Sequence, residues 1–401
     1  EQSPHATLIV YDAAGNKVRV TGPQVEAAAP GTQTFANTRP VESMFHDSAG
    51  NVIRRVAPDG SESRYEYDLQ GKITKRYDAL GQVTTIKRDD SGHPLEVTDP
   101  RGNVTRMKYD KSGNMVRQYA PGATAPVVSE YNPSGQRVRV HVPRVAGASL
   151  ATIVPIDATP TEAEAAAATA EWFTTETRYD SHGRPKGVLG PGATVAAVTT
   201  YDQVGNVLTR TDPDGKAIAF KYDGLYRRTL VTDPAGEETR TAYDLSGHVM
   251  ATTDPEAIVT RHAYNNMGRL SATIEDATNL AKRTEFGYDE VGNRTTITAY
   301  QVNADPPVTQ VTQVTSFTYD ALNRLLTHTF PDAKLYTYKY DIMGGVARTH
   351  TPDGKDIDQT FDALGRLSCR TLDAEQHIYL YDEVGNPTSE THRNGGRMST
   401  I

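Results

Sequence analysis

Carboxylates, histidines and one cysteine are the residues of this sequence that could carry out chemistry. There are 50 Asp and Glu residues, 11 His residues and a single Cys, Cys369. The acidic run Asp353–Asp358 resembles a calcium loop, but it lacks the ligand spacing and the Glu at position 12 of an EF-hand. The sequence contains no H-E-x-x-H pair, P-loop or nucleophile elbow. We therefore expect no catalytic, cofactor-binding or metal site, no cofactor and no enzyme activity.

Composition and charge narrow the classes of partner. With 42 Lys and Arg against 50 acidic residues, the formal net charge is −8. A general affinity for nucleic acid needs a basic surface, so no nucleic-acid partner is expected. No apolar run approaches 18 residues, so no membrane span is expected. The opening residues Glu1–Pro4 lack the features of a signal peptide, and a single cysteine cannot form an intrachain disulfide.

Most of the aspartates belong to a repeat. Fourteen of the 21 tyrosines are followed by Asp or Asn, and Gly usually stands three residues after that position. The tyrosines recur every 21 residues, as from Tyr201 to Tyr222 and from Tyr222 to Tyr243. A second signal of the form D-P-x-G lies halfway, as in Asp212–Gly215. A fixed period of about 20 residues is typical of repeat architectures.

Each signal has the chemistry of a hairpin turn. Asp at the first position accepts a backbone N–H two residues on, Pro suits the second position, and Gly adopts a left-handed conformation at the fourth. A type I turn followed by such a residue is a common hairpin loop with a bulge. Tyr226 and Asn323 stand where Gly is expected. The clearest turns are formed by Tyr67, Asp68, Gly71, Tyr109, Asp110, Gly113, Tyr201, Asp202, Gly205, Tyr243, Asp244, Gly247, Tyr288, Asp289, Gly292, Tyr381, Asp382 and Gly385.

The residues between the turns alternate with the period of a β-strand. In Ala217–Tyr222, one face carries Ile218, Phe220 and Tyr222 and the other carries smaller or charged residues. Only 37% of the chain is hydrophobic, which suits a thin sheet wetted on both faces. The sequence therefore predicts an all-β fold: one segment, residues 1–401, forming a meander of about 30 short antiparallel strands that curls because strands twist.

Three stretches depart from the repeat. Residues 21–40 are rich in Pro, Ala and Thr and are interpreted as a loop. An insertion at about residues 143–178 contains an Ala-rich run with early Glu, which predicts one short helix near residues 160–173. A second insertion at about residues 299–316 centres on Asp305–Pro307 and predicts a lengthened hairpin.

The recurring Y-D-x-x-G units resemble the YD repeats of the Rhs family, over about residues 8–386. This family includes bacterial polymorphic toxins, the C component of insecticidal toxin complexes and the animal teneurins. The resemblance implies a β-spiral that forms part of a hollow shell around a C-terminal toxic domain, which we expect to lie outside these 401 residues. It also implies as partners the remainder of the shell, the enclosed toxin, and a secretion-system spike or toxin-complex component. We expect a secreted or cell-surface bacterial protein, exported without a signal peptide on this chain.

Two other functions remain open from the sequence alone. Tyr-rich strands could form an adhesion or glycan-binding surface, as in teneurins, which predicts an exposed aromatic patch. An enzyme built on a β-solenoid predicts carboxylates that converge in a groove. The regular repeat favours the shell. Because 401 residues supply only part of a family wall, the chain is expected to form an open, C-shaped spiral or an edge-to-edge oligomer.

Overall fold

The chain folds almost entirely as β-structure. The structure, a computed structural model, describes residues 6–153, 162–277, 280–301, 311–373, 375–394 and 397–400. They contain 35 strands, one 3₁₀ turn at Leu150–Thr152 and one α-helix, α1, at Glu162–Glu171. The predicted all-β fold with a single short inserted helix is confirmed, although the strands outnumber the 30 expected. Within these residues, no helix has the length and hydrophobicity needed to cross a membrane.

The strands are short, mostly of four to nine residues, as the spacing of the turns predicts. They are β1 (Leu8–Tyr11), β2 (Lys17–Thr21), β3 (Val25–Ala28), β4 (Phe35–Thr38), β5 (Val41–His46), β6 (Val52–Val56), β7 (Glu62–Tyr67), β8 (Ile73–Tyr77), β9 (Val83–Arg88), β10 (Pro94–Thr98), β11 (Val104–Tyr109), β12 (Met115–Tyr119), β13 (Val127–Tyr131), β14 (Arg137–Pro143), β15 (Trp172–Tyr179), β16 (Pro185–Leu189), β17 (Ala197–Tyr201), β18 (Val207–Thr211), β19 (Ala217–Tyr222), β20 (Arg228–Thr232), β21 (Glu238–Tyr243), β22 (Val249–Thr253), β23 (Val259–Tyr264), β24 (Leu270–Ala277), β25 (Leu280–Tyr288), β26 (Arg294–Gln301), β27 (Val311–Tyr319), β28 (Leu325–Thr329), β29 (Leu335–Asp341), β30 (Val346–His350), β31 (Asp356–Phe361), β32 (Leu367–Leu372), β33 (Glu375–Tyr381), β34 (Pro387–Asn394) and β35 (Arg397–Thr400).

Sequential strands pair antiparallel along the chain, which makes the sheet a long ribbon. One exception lies near the start, where β2 pairs with β5 and the intervening β3–β4 hairpin leaves the ribbon. In the described residues, the one parallel pairing joins β3 to β29, with Ala27 opposite Tyr340. The prediction that residues 21–40 form a loop is therefore wrong. Their strands are stabilised by a sheet neighbour more than 300 residues away, which composition cannot reveal.

The ribbon has two edges, because the turns of a meander alternate between them. The turns that follow β5, β7 and β11 lie on one edge, which we call the tyrosine edge. The D-P-x-G turns, such as Asp99–Gly102, lie on the opposite edge. Residues 144–171, which include α1, also connect strands on the opposite edge.

The insertion boundaries differ from those expected. Strand β14 runs to Pro143 and β15 begins at Trp172, so the inserted residues are 144–171 rather than 143–178. Trp172 and Phe173 are strand residues, not the end of the predicted helix, because they pair with Pro143 and Val142. Strands β26 and β27 narrow the second insertion to residues 302–310. Asp305–Pro307 and the turn they were expected to form lie outside the described residues.

The ribbon meets itself after about one revolution. Gln33 Nε2 donates to the carbonyl of Gln359, 326 residues away, at 3.1 Å. Lys339 Nζ lies 3.1 Å from Glu26 Oε1, and Arg101 Nη1 lies 3.1 Å from Asp382 Oδ2. Early and late strands therefore touch, which contradicts the open C-shape, the first of the two alternatives expected from the sequence; the edge-to-edge oligomer stays a prediction. Twist accumulated over some 25 strands sets this closure, and single-repeat patterns carry no information about it.

The curled ribbon exposes much more surface than a compact chain of the same mass. At about 4.8 Å per strand, 25 strands give a circumference of roughly 120 Å and a diameter of about 40 Å. The accessible surface is 24520 Å². A compact monomer of 43.7 kDa would expose about 15,000 Å². Buried side chains concentrate in two places, around β3 and around Trp172. The fold is thus a thin wall wetted on both faces.

Candidate functional site

The repeat turns share one geometry, which Asp180 illustrates. Its backbone carbonyl accepts the N–H of Gly183 at 3.0 Å, and its N–H donates to the carbonyl of Arg184 at 2.9 Å. Carboxylate oxygen Oδ1 accepts the N–H groups of His182 and Arg184, both at 2.9 Å. Oδ2 accepts the side chain of Arg184 at 2.7 Å. One carboxylate oxygen thus accepts hydrogen bonds from the turn backbone, and the other accepts a hydrogen bond from the side chain of the residue after Gly.

All six turns singled out from the sequence lie on the tyrosine edge. Each has its Gly at positive φ, between 74° at Gly71 and 109° at Gly292. Each also has a Gly N–H donating to the Asp carbonyl at 3.0–3.3 Å. Tyr226 and Asn323 occupy the Gly position with φ of 62°. The structure brings these turns together in a row along one edge and gathers none of them into a pocket with converging side chains.

The tyrosines connect neighbouring repeats, a role that sequence reasoning missed. The phenol of Tyr222 donates to the carbonyl of Val207, two residues past the preceding turn Gly, at 2.8 Å. Equivalent bonds of 2.7–3.1 Å are made by Tyr67, Tyr131, Tyr179, Tyr201, Tyr243, Tyr264, Tyr288, Tyr319, Tyr340 and Tyr381. A phenylalanine cannot make this bond, which explains why Tyr outnumbers Phe by 21 to 8.

Two positions depart from the pattern, and the first of them supports this role. Arg88 stands in the Tyr place, and its guanidinium donates to the matching carbonyl of Ile73 at 3.4 Å. Tyr109 instead stacks on His93, with ring centroids 4.7 Å apart. The excess of Tyr over Phe was the sequence signal that could have revealed these bonds.

Arginines that follow the left-handed residue of the turn link one turn to the next. Arg227 Nε donates to Asp223 Oδ2 at 2.7 Å, and its Nη1 donates to the carbonyl of Asp244 at 2.9 Å. The same guanidinium lies 4.7 Å from the ring centroid of Tyr243, a cation–π distance. The other arginines with these three contacts are Arg184, Arg324 and Arg366. The tyrosine edge is therefore held together by Asp, Arg and Tyr contacts that continue from repeat to repeat.

The pKa values of several turn carboxylates are lowered by their hydrogen bonds. The backbone N–H of Arg184, aided by its guanidinium, lowers the pKa of Asp180 to about 2. The pKa of Asp223 is also lowered, by the backbone N–H of Arg227. The side chain of Asn51 lowers the pKa of Asp47 in the same way. Charge at these positions is part of the native turn.

We expect stability to fall in acid because these aspartates have lower pKa values folded than unfolded. Their contribution is complete above the unfolded value of 3.8 and is lost as the pH falls towards about 2. The thermal midpoint, followed by far-UV circular dichroism, should stay level from about pH 7 to pH 5 and decrease between about pH 4 and pH 2. D180N should make this decrease shallower. A midpoint that does not change below pH 4 would contradict the assigned turns.

Removing one tyrosine hydroxyl should have a measurable cost. Y222F deletes the bond to the Val207 carbonyl, and a typical protein hydrogen bond contributes about 1 kcal/mol. The matched control is Y226F, because Tyr226 is 61% exposed in its turn. We expect urea denaturation to give a loss of about 1 kcal/mol for Y222F and less than about 0.5 kcal/mol for Y226F. Similar losses of stability in Y222F and Y226F would show that the hydrogen-bonded hydroxyl contributes no more than an exposed one.

A cleft lies where the early and late parts of the ribbon meet, a junction that we call the seam. This cleft is one candidate binding site. Turn residues Asp59–Ser61 and Ala79, on the opposite edge of the early ribbon, face residues 341–345 and 359–365 of the late ribbon. The cleft between them has a volume of about 600 Å³. Its lining contains carboxylates such as Asp341 and Asp362, but both already serve as turn residues. The cleft is therefore a junction between two ribbon edges.

A buried polar cluster on β13–β15 is the arrangement that most resembles a catalytic one. His141 Nδ1 lies 2.9 Å from Thr174 Oγ1, and its Nε2 lies 3.3 Å from Glu130 Oε1. Arg139 and Glu176 pair alongside at 3.1 Å. His141 is only 3% exposed, and Trp172 lies edge-on to its ring with centroids 6.3 Å apart. The cluster pairs polar side chains within the wall, although the buried Glu130 Oε2 has no hydrogen-bond partner, and it offers a substrate no access to the imidazole.

Comparisons with known proteins support this description. The family described as RHS Repeat matches residues 46–83, 88–125 and 201–238. A search of curated proteins found no match to the chain. Among solved structures, the chain is similar to the Tc holotoxin pore of Photorhabdus luminescens carrying a mutant TccC3, with a TM-score of 0.69 and 15% identity over 95% of this chain. It is also similar to TcdB2-TccC3 without its hypervariable C-terminal region, with a TM-score of 0.62 and 16% identity over 98% of this chain.

This chain spans less than a quarter of those structures, 22% of the first and 24% of the second. At such identities the likeness concerns the fold. The fold similarity agrees with the coiled ribbon, and the repeat matches agree with the turns on the tyrosine edge. The predicted resemblance is thereby confirmed: three stretches of the chain match the RHS Repeat family, and its coiled β-ribbon fold is similar to that of Tc toxin proteins.

Proposed function

We propose that this chain is a wall segment of a toxin-complex-type shell, which encloses a C-terminal toxic domain of its parent protein until delivery. The observation that carries the proposal is the curled ribbon whose early and late strands touch. A wall of this kind needs extent and closure rather than a catalytic centre. We accordingly propose that the segment itself has no enzyme activity.

The contacts on the two edges suit a wall. Along the tyrosine edge, carboxylates and phenols bind the backbone groups that turns and strand ends leave unpaired. At the seam, oppositely charged pairs such as Arg101 and Asp382 hold successive revolutions together. The hydrogen bonds of the tyrosine edge and the ion pairs of the seam both recur along the chain, so the wall can extend by adding repeats. Stability then arises mainly from nearest-neighbour contacts, as in other repeat proteins.

The proposal includes partners and location. The wall would contact the remainder of the same shell and the enclosed domain, and a toxin-complex component or secretion-system spike would bind the assembled shell. TcdB2-TccC3, one of the structurally similar proteins, has a hypervariable C-terminal region. A variable cargo behind a regular wall is the arrangement we propose for the parent of this chain. A shell of this kind would be secreted or displayed at the surface of a bacterium.

Glycan binding is the second candidate, because five rings form a stripe across β27–β29. Phe317 pairs with His328, and His328 pairs with Tyr336, so their side chains share one face. Centroid distances are 4.8 Å for Phe317–His328 and 4.1 Å for His328–Phe330. The stripe continues through Phe330–Tyr336 to Tyr338. Aromatic faces can stack on sugars, and binding of glycans by the isolated chain that Y336A abolishes would favour this candidate.

The shell proposal is tested by protease protection in the full-length parent. Deletion of residues 201–263 removes three repeats of 21 residues and brings Tyr264 to the place of Tyr201. The ribbon keeps its local register but loses six strands, so its revolution no longer brings Arg101 to Asp382. We expect the C-terminal domain to be digested about tenfold faster in this variant. Parent protein carrying E256A, an exposed turn substitution, is the control. Equal digestion rates with and without residues 201–263 would overturn the proposal.

A further inference from the structure

Two histidines face each other across the β33–β34 hairpin, where the sequence shows no paired spacing of histidines. His377 and His392 are directly opposite in the strand register. Their rings are edge-to-face, with centroids 4.2 Å apart. Residues opposite each other in an antiparallel pair project from the same face. Fifteen residues separate the two in sequence, so only the register brings them together.

Two glutamates complete the group on that face. Glu375 precedes His377 by two residues and Glu390 precedes His392 by two, and a two-residue step along a strand returns to the same face. His377 Nδ1 lies 3.2 Å from Glu390 Oε1, and His377 Nε2 lies 3.7 Å from Glu375 Oε1. His392 Nε2 lies 3.4 Å from Glu390 Oε1. Four groups able to bind a metal thus share one face of the hairpin, with Glu375 and Glu390 on either side of the His377–His392 pair.

The separations suit a single small cation. One ligand atom each from Glu375, His377 and His392 lie within 4.8 Å of one another. Zinc binds imidazole nitrogen and carboxylate oxygen at about 2.0–2.2 Å, so tetrahedral ligands lie roughly 3.4 Å apart. Small side-chain rotations within the hairpin would close the difference. None of these side chains is fully exposed or fully buried, so an ion could enter from solvent.

The existing contacts leave the group incomplete. His392 Nε2 is buried and lacks a hydrogen-bond partner, because its approach to Glu390 does not have hydrogen-bond geometry. Glu390 is placed to hold the Nδ1–H of His377, which would leave Nε2 as a neutral donor to a cation. Carboxylates commonly orient metal-binding histidines in this way. Arg370, opposite His377 on β32, is the neighbouring cation on this face and is exposed.

We propose that Glu375, His377 and His392 bind a divalent transition-metal ion, with zinc as the best match to two imidazoles and a carboxylate. Glu390 acts as a positioning residue for His377. The ion ties β33 to β34 towards the end of the hairpin that lies away from the turn of Asp382, the residue that meets Arg101 at the seam. The site is structural, and its position supports the late strands that overlap the first revolution.

Calorimetric titration of the metal-free, tag-free chain with zinc chloride at pH 7.5 tests the proposal. We expect one saturable site per chain with a dissociation constant of about 1 μM or tighter, and a higher thermal midpoint when zinc is bound. H377A and H392A should each weaken binding at least about tenfold. H350A is the matched control, because His350 also pairs with a carboxylate, Asp356, at 2.7 Å but lies outside the group.

Folding of each variant is checked by far-UV circular dichroism, and E390Q supplies a second measurement. E390Q removes the carboxylate partner of His377 while keeping a similar shape, so it should weaken zinc binding less than H377A does. No saturable zinc binding by the wild-type chain would overturn the proposal. Binding that survives in the double variant H377A/H392A would overturn it equally. Neither result bears on protease protection, so the shell proposal is tested separately.

Discussion

W172A is expected to destabilise the region around the helical insertion by about 3–5 kcal/mol, the range for deleting a buried large aromatic side chain. Trp172 is the first residue of β15 and is only 2% exposed. It packs against Ala125 and Ala148 with Val128, Leu150 and Ile153 at the margin. Its indole N–H donates to Thr152 Oγ1 at 3.0 Å. The substitution removes both the packing of this small core and that bond.

The effect should be local, because strands elsewhere in the ribbon depend on their own neighbours. Trp172 is the single tryptophan of the chain, so fluorescence cannot follow the variant. Amide hydrogen exchange should instead show a large loss of protection in residues 144–153 and 167–171, with little change beyond β17. F173A is the control, since the next side chain of the same strand is 45% exposed and lies against Arg144. Equal losses of protection in W172A and F173A would contradict the assigned core.

The local part of the fold could be predicted from sequence because its signals lie within a few residues. Asp202 and Gly205 specify a turn by themselves, and strand alternation follows in the residues between turns. The strands of residues 21–40 were missed because Ala27 and Ala28 pair with β29, far along the chain. Trp172 was assigned to a helix because the Ala-rich run before it contains no stop signal. Pairing with Pro143 determines its strand conformation instead.

The contacts between repeats were missed for a different reason. The bond from Tyr222 to Val207 spans 15 residues, and the contact of Arg227 with Asp244 spans 17. Both depend on strand register, which period alone does not give. The same applies to His377 and His392, which become neighbours only once β33 and β34 pair. Composition nevertheless contained a clue, because a core that needed only aromatic bulk would not prefer Tyr to Phe so strongly.

G205V should destabilise the chain by about 1–3 kcal/mol, the cost of holding a non-glycine residue in a strained backbone conformation. Gly205 has φ of 105°. Its N–H donates to Asp202 Oδ1 at 2.8 Å and to the Asp202 carbonyl at 3.3 Å. A β-branched residue is poorly tolerated at positive φ. The control is E256A, an exposed substitution in a turn whose Gly position is already Ala257, and its effect should stay below about 0.5 kcal/mol. Denaturation in urea gives both values.

Three turns of this chain have another residue in the Gly position, and they allow a more specific prediction. Ala257, Tyr226 and Asn323 have φ of 62–65°, close to the left-handed helical minimum near 57°. Gly205 lies some 40° beyond them, because Asp202 Oδ1 draws in three successive N–H groups, those of Val204, Gly205 and Asn206. Asn should therefore be tolerated at Gly71, where φ is 74°, and not at Gly205. If G71N and G205N lost the same stability, the φ difference would not control which repeats require glycine.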